Sequence, residues 1–232
     1  LNLGGLDITG DLDVDAGGAL ADGGNTIAVD GTGSFATTGN GSNITLTGLD
    51  VGGVVDVNTA ATSNATLTNV GGVEFSASAT STVNGDLTVT AGGDITDASG
   101  ATLVVTGLSD LTATGSNIVL GDNTDTTNFG SLNVAGTTVT ITEDSSTELA
   151  DVDATTLTLV SGGAITQTGG LSVSGVATLT APGSSITLGD GSNDFGTVTI
   201  GGTTTTSVTL ADTNGLNLGG LDITGDLDVD AG

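Results

Sequence analysis

The chain has 232 residues, of which 27 are acidic and none is Lys, Arg or His, for a net charge of −27. With no Cys there is neither a disulfide framework nor a thiolate metal site. With no cation there is nothing to hold nucleic-acid phosphates and no Ser–His or Ser–Lys pair for nucleophilic catalysis. The chain is nevertheless 36% hydrophobic, too apolar for a disordered acidic tail. Its Val, Leu and Ile residues, set among many Thr, form the population that fills strands. Forty-one Gly and a single Pro (Pro182), with no Gly-X-Y period, exclude collagen. No apolar run approaches the ~18 residues of a membrane span.

In chain order, Leu1–Gly17 reads LNLGGLDITGDLDVDAG, and the same seventeen residues return at Leu216–Gly232, an offset of 215. A repeat of this kind predicts a single continuous unit over 1–232: one period of a longer tandem array plus the start of the next. A weaker repeat lies inside the period. Asp86–Ile95 (DLTVTAGGDI) matches Thr156–Ile165 (TLTLVSGGAI) at an offset of 70, and Val105–Asp122 matches Val173–Asp190 at 68. These offsets divide the chain into related sub-units at about 12–86, 87–156 and 157–226.

Finer phrases recur from Leu87 (LTVTAGGDIT), Leu111, Leu132, Leu157 and Leu179, with starts 24, 21, 25 and 22 residues apart. Each alternates with period two for four or five residues and then meets Gly, Asn, Asp or Ser, which reads as a short strand ending at a turn. None carries the helical period, and Gly with β-branched residues opposes helix throughout. A sandwich or barrel would call for regular hairpin turns; there is an Asn84-Gly85, but most corners are single Gly, Gly-Gly or Ser/Thr-Gly, with no regular Asn-Gly or Asp-Gly. A unit of ~23 residues is too short for a core of its own and buries its apolar face only by stacking on its neighbours. The expected fold is therefore all-β: a right-handed parallel β-helix, or β-solenoid, with roughly 9–12 coils per 215-residue period. That makes the period about 45 Å long for nine or ten coils and nearer 58 Å for twelve. Phe129 and Phe195 fall in equivalent phrases, NTDTTNFG and GSNDFG, and are expected to pack the same corner in successive units.

The phrases LTVTAGGDIT (Leu87–Thr96), SITLGDGSNDFGTVTIGG (Ser185–Gly202), VTLADTNGLNLGGL (Val208–Leu221) and ITGDLDVDAG (Ile223–Gly232) resemble the repeat regions of giant bacterial surface proteins of the filamentous haemagglutinin type. The resemblance implies a parallel β-helix exported to the cell surface, extracellular and repetitive. It specifies no ligand, and the complete lack of Lys and Arg departs from that family's usual composition.

Three functional readings follow. The first is a structural, non-enzymatic filament segment whose partners are further copies of the same repeat, end to end. The second is an adhesin stalk or binding module that recognises glycan or a partner cell, and the third is a cation-dependent sheath or surface-layer subunit. The aromatic and Arg anchors that usually carry recognition are missing, which favours the first. No catalytic or cofactor-binding residue stands out, because the Asp residues are scattered and no aromatic platform for a sugar accompanies them. For metal, Gly189–Gly196 (GDGSNDFG) and Gly121–Asp125 (GDNTD) cluster oxygen ligands of the kind Ca²⁺ takes, although Asp, Asn and Gly at turns equally serve backbone geometry. No cofactor is required on this reading; divalent cations such as Ca²⁺ are expected as counterions to a charge density near one per ~2 Å of axis, approaching that of duplex DNA.

Overall fold

The computed structural model describes residues 1–122 and 124–232. Among them are twenty-three strands and no helix, hence no helix long and apolar enough to cross a membrane. The strands pair in parallel with strands one turn below and one turn above, those at the ends of the stack on one side only, and the chain winds as a β-solenoid of about 11 turns.

The alternation in the sequence explains the winding. In Leu87–Ala91 (LTVTA), Leu87, Val89 and Ala91 are buried while Thr88 and Thr90 face outward. A strand this short covers little of its own apolar face, so the next turn must cover it. Inward residues accordingly stack in columns. One column runs Val73, Ile95, Ile118, Val139, Leu157, Ala177, Val198, Leu218. Another runs Leu46, Leu67, Val89, Leu111, Val134, Val152, Leu171. Apart from Leu218, every member of both columns is at most 2% exposed.

The columns also correct the turn length. Steps along them measure 18 to 23 residues, and the 18-residue steps run from Val134 to Val152 and from Val139 to Leu157. The ~23-residue spacing of the sequence phrases therefore overstates the turn. The phrases from Leu132 and Leu157 do not lie above one another: Leu132 pairs with Leu149, and Leu157 continues the Val139 column. The shorter turn is accommodated at the corners and by a register shift in the ladder, where Leu132 pairs with Leu149 but Asn133 with Asp151.

Phe129 and Phe195 are both buried and pair with Val105 and Val173 one turn earlier, but they do not pack the same corner: the Phe195 column runs through Val173 and Ala154 to Gly136, in the same turn as Phe129 and on the next face. The two identical seventeen-residue stretches carry the same strands, Leu12–Ala16 and Leu227–Ala231, at opposite ends of the stack. The first pairs only with the turn that follows it, the second only with the turn that precedes it.

Glycine has a specific task where turns cross closely. At Gly92 the carbonyl of Val70, one turn below, occupies the space a Cβ would need, so no other residue fits there without displacing backbone.

Candidate functional site

The polar residues fall into three arrangements: an exposed ladder, a set of buried caps and one cluster of carboxylates. In the ladder, Asn43 Oδ1 accepts the backbone N–H of Asn64 and Asn64 Oδ1 that of Asp86, both at 2.9 Å; Asp86 Oδ1 then accepts that of Leu108 at 3.0 Å. Asp11 does the same for Thr32 and Asp94 for Asn117, both at 2.8 Å. Each side chain satisfies an amide at a corner, where the strand ladder is interrupted.

The caps are buried. Asn69, Ser81, Glu143, Asn193 and Asp212 accept the backbone N–H groups of Val51, Val57, Phe129, Leu171 and Phe195 at 2.8, 3.1, 3.0, 3.0 and 2.7 Å. Asp22 receives three, from Gly24 at 2.9 Å, Thr47 at 2.5 Å and Gly48 at 2.7 Å. Burial pushes the Asp22 carboxyl up, but these amides together hold it below its ordinary value. Glu143 is only 1% exposed. Burial raises its carboxyl above the ordinary value even though the Thr147 hydroxyl, the Phe129 amide and the Ser145 hydroxyl all donate to it.

Exposed charge follows a rule that the sequence does not display. In the columns of outward residues, Asp alternates with a neutral residue: Asp7, Ala28, Asp50; Asp110, Asn133, Asp151; Asp153, Ser172, Asp194. Among the described residues no register sets one acid directly on another. At one-turn spacing of ~4.8 Å two charges in water repel by about 0.9 kcal/mol, and at two turns by about 0.4 kcal/mol, a distance near the Debye length in ordinary salt. Alternation thus removes the worst contacts in a chain that has no cation to offset them.

Of the two oxygen-rich segments singled out above, Gly189–Gly196 spends its ligands locally. Asp190 Oδ1 accepts the Ser192 amide at 2.9 Å and its hydroxyl at 2.7 Å. Asn193 is fully buried as a cap, its amide donating to Leu188 and Ala211 carbonyls. Asp194 binds the Asn214 side chain at 2.9 Å. In Gly121–Asp125, Asn123 lies outside the described residues, but Asp122 and Asp125 meet a third carboxylate from the turn below, Asp97. One oxygen from each lies within 4.8 Å of the others, the one such group of three among the described residues. Burial, with the Asp125 and Asp122 charges adding to it, raises the Asp97 carboxyl to about 6 against the pull of the Gly121 amide. Sequence inspection passed over Asp97, although a signal existed. It stands two residues after Ile95, on the inward parity of an alternating run where an apolar residue belongs.

A family model for repeats of unknown function, DUF5649, matches residues 1–58, 62–133 and 136–201, well over half of the chain. The chain belongs to this repeat family. No curated protein and no solved structure matches it. Tandem DUF5649 segments wound into one parallel solenoid make this a repeat protein whose successive turns share one architecture.

Proposed function

We propose that this DUF5649 chain is a structural, non-catalytic segment of a long filament displayed outside the cell, in which identical 215-residue periods follow one another along a single axis. The observation that carries the reading is the pair of identical end turns: Leu12–Ala16 and Leu227–Ala231 are the same strand at the two ends of one stack. The lower face of the first turn therefore has the shape and pairing pattern of a surface already matched within the chain, that of residues 208–212 against 227–231. Unbroken parallel pairing along the axis suits a tension-bearing rod. The resemblance to exported haemagglutinin-type repeats and the absence of Cys, which spares an exported chain wrong disulfides, support a place outside the cell. The acidic, charge-alternating flank supports a rod that stays separate from its neighbours, since like charge opposes lateral association.

The test is truncation. A chain of residues 1–215 exposes the face of 194–212, which the first turn of a second molecule fits in register. It should form linear, concentration-dependent assemblies by sedimentation, and the free peptide of residues 1–17 should block them. The 1–232 chain, whose own last turn covers that face, should not assemble this way. A 1–215 chain that stays monomeric at high concentration would rule out the continuous-filament reading.

A further inference from the structure

The corner where residues 97–101 lie beneath residues 121–127 holds the least satisfied charge among the described residues. Asp97 Oδ2 accepts the Gly121 amide at 2.8 Å, while its Oδ1 is buried without a hydrogen-bond partner. Asp125 Oδ1 accepts the amides of Gly100 and Ala101, while its Oδ2 is likewise buried and unpartnered. Asp122, exposed at the rim, brings a third carboxylate into the same group. Independently of these acids, Thr127 is completely buried and its Oγ1 has no partner. That hydroxyl faces Gly121, 2.7 Å from where a Cβ would stand, and so turns toward the residue whose amide Asp97 holds. Gly121 itself has φ +79° and the Thr142 carbonyl against it, a conformation and a space open only to glycine.

Two buried carboxylate oxygens facing a third carboxylate are costly unless a proton or a cation offsets them. The chain has no Lys, Arg or His to supply one, and the nearby amides already serve the other oxygen of each carboxylate. We infer that this corner is a binding site for a hard divalent cation of the Ca²⁺ class, with Asp97, Asp122 and Asp125 as carboxylate ligands and the Thr127 hydroxyl beside them. The donors are all oxygen, which disfavours metals that seek imidazole or thiolate. Their irregular arrangement, drawn from two successive turns, suits Ca²⁺, which accepts six to eight oxygens in flexible geometry and completes its shell with water, better than Mg²⁺ with its strict octahedron. A cation here would clamp one turn to the next at a corner, where the strand ladder offers least support.

The experiment is a calorimetric Ca²⁺ titration of the full 232-residue chain, stripped with chelator, in about 0.15 M NaCl so that diffuse counterion binding is screened. One saturable site per chain is expected. Asp97→Asn and Asp125→Asn should each weaken it at least about tenfold, and so should Asp122→Asn, which changes an exposed side chain and leaves the core intact. Asp13→Asn, remote on an exposed strand face, should leave it unchanged. No saturable site in the wild-type chain, a site that survives Asp122→Asn in a folded protein, or equal weakening by Asp13→Asn would each overturn the assignment. The last of these would reduce the binding to the general counterion atmosphere.

Discussion

The side-chain oxygen of Asn43 accepts the backbone N–H of Asn64 one turn further along the solenoid, at 2.9 Å. Asn64 repeats the act on Asp86, and Asp86 on Leu108. A polar side chain at a corner thus does for the next turn what an N-cap does for a helix, satisfying an amide that the regular ladder has left free. Asn64→Ala should lower stability by about 1 kcal/mol, measured as the urea midpoint. Asn64→Asp keeps the acceptor but sets a charge next to Asp86, so its cost should appear at low salt and fade in concentrated NaCl.

Charge alternation can be broken deliberately. Ser172 is exposed between Asp153 and Asp194, one turn from each. Ser172→Asp should destabilise by about 1 kcal/mol at low ionic strength, because it converts two-turn repulsions into one-turn repulsions. Ser172→Asn should be nearly neutral. Equal melting temperatures for the two variants at low salt would show that spacing of charge does not matter here.

Gly92 and Gly18 make a matched pair. A Cβ at Gly92 collides with the Val70 carbonyl, whereas a Cβ at Gly18 meets nothing within 4 Å. Gly92→Ala should cost about 2 kcal/mol by forcing the backbone apart, and Gly18→Ala should stay within about 0.5 kcal/mol of wild type. Denaturant unfolding of both variants checks the contrast.

Stability should rise in mild acid, contrary to the usual pattern. Burial raises the carboxyl of Glu143 above its ordinary 4.5 and that of Asp56 above its ordinary 3.8. Each therefore holds its proton to higher pH when folded than when unfolded. The stability each contributes is complete below the unfolded value and is lost as pH climbs through the folded one. Asp22, held low, acts in the opposite sense and loses its contribution only as pH falls below 3.8. In chelator, unfolding at about pH 5 should need more urea than at pH 7, and Glu143→Gln should flatten that slope while still offering an oxygen to the Phe129 amide. A wild-type chain most stable at neutral pH would contradict the account.

Much of the fold was legible because the alternation is local. Leu87-Thr-Val-Thr-Ala can only be a strand with one apolar face, and a strand of that length between Gly-rich corners must stack to be buried. The offsets of about 70 between related phrases likewise marked the chain as repetitive, in keeping with its three DUF5649 matches. What the phrases could not disclose was the phase between turns. The 18-residue steps after Val134 and Val139 are absorbed at corners and by a register shift, which leave no periodic mark on the sequence.

The polar arrangement belongs almost wholly to the tertiary level. Composition alone established an acidic chain without cations or thiols, because those are properties of residue type and need no geometry. Which acids meet, and which are kept apart, depends on register between residues 14 to 26 positions distant. Asp97 and Asp125 belong to different turns and come together only because Gly100 and Ala101 lie under Asp125. Asp153 and Asp194 stay two turns apart only because Ser172 falls between them. A strand's inward and outward parity is written in its own residues; its neighbour across the ladder is decided by the length of the corner in between, and that length is set when the whole stack packs.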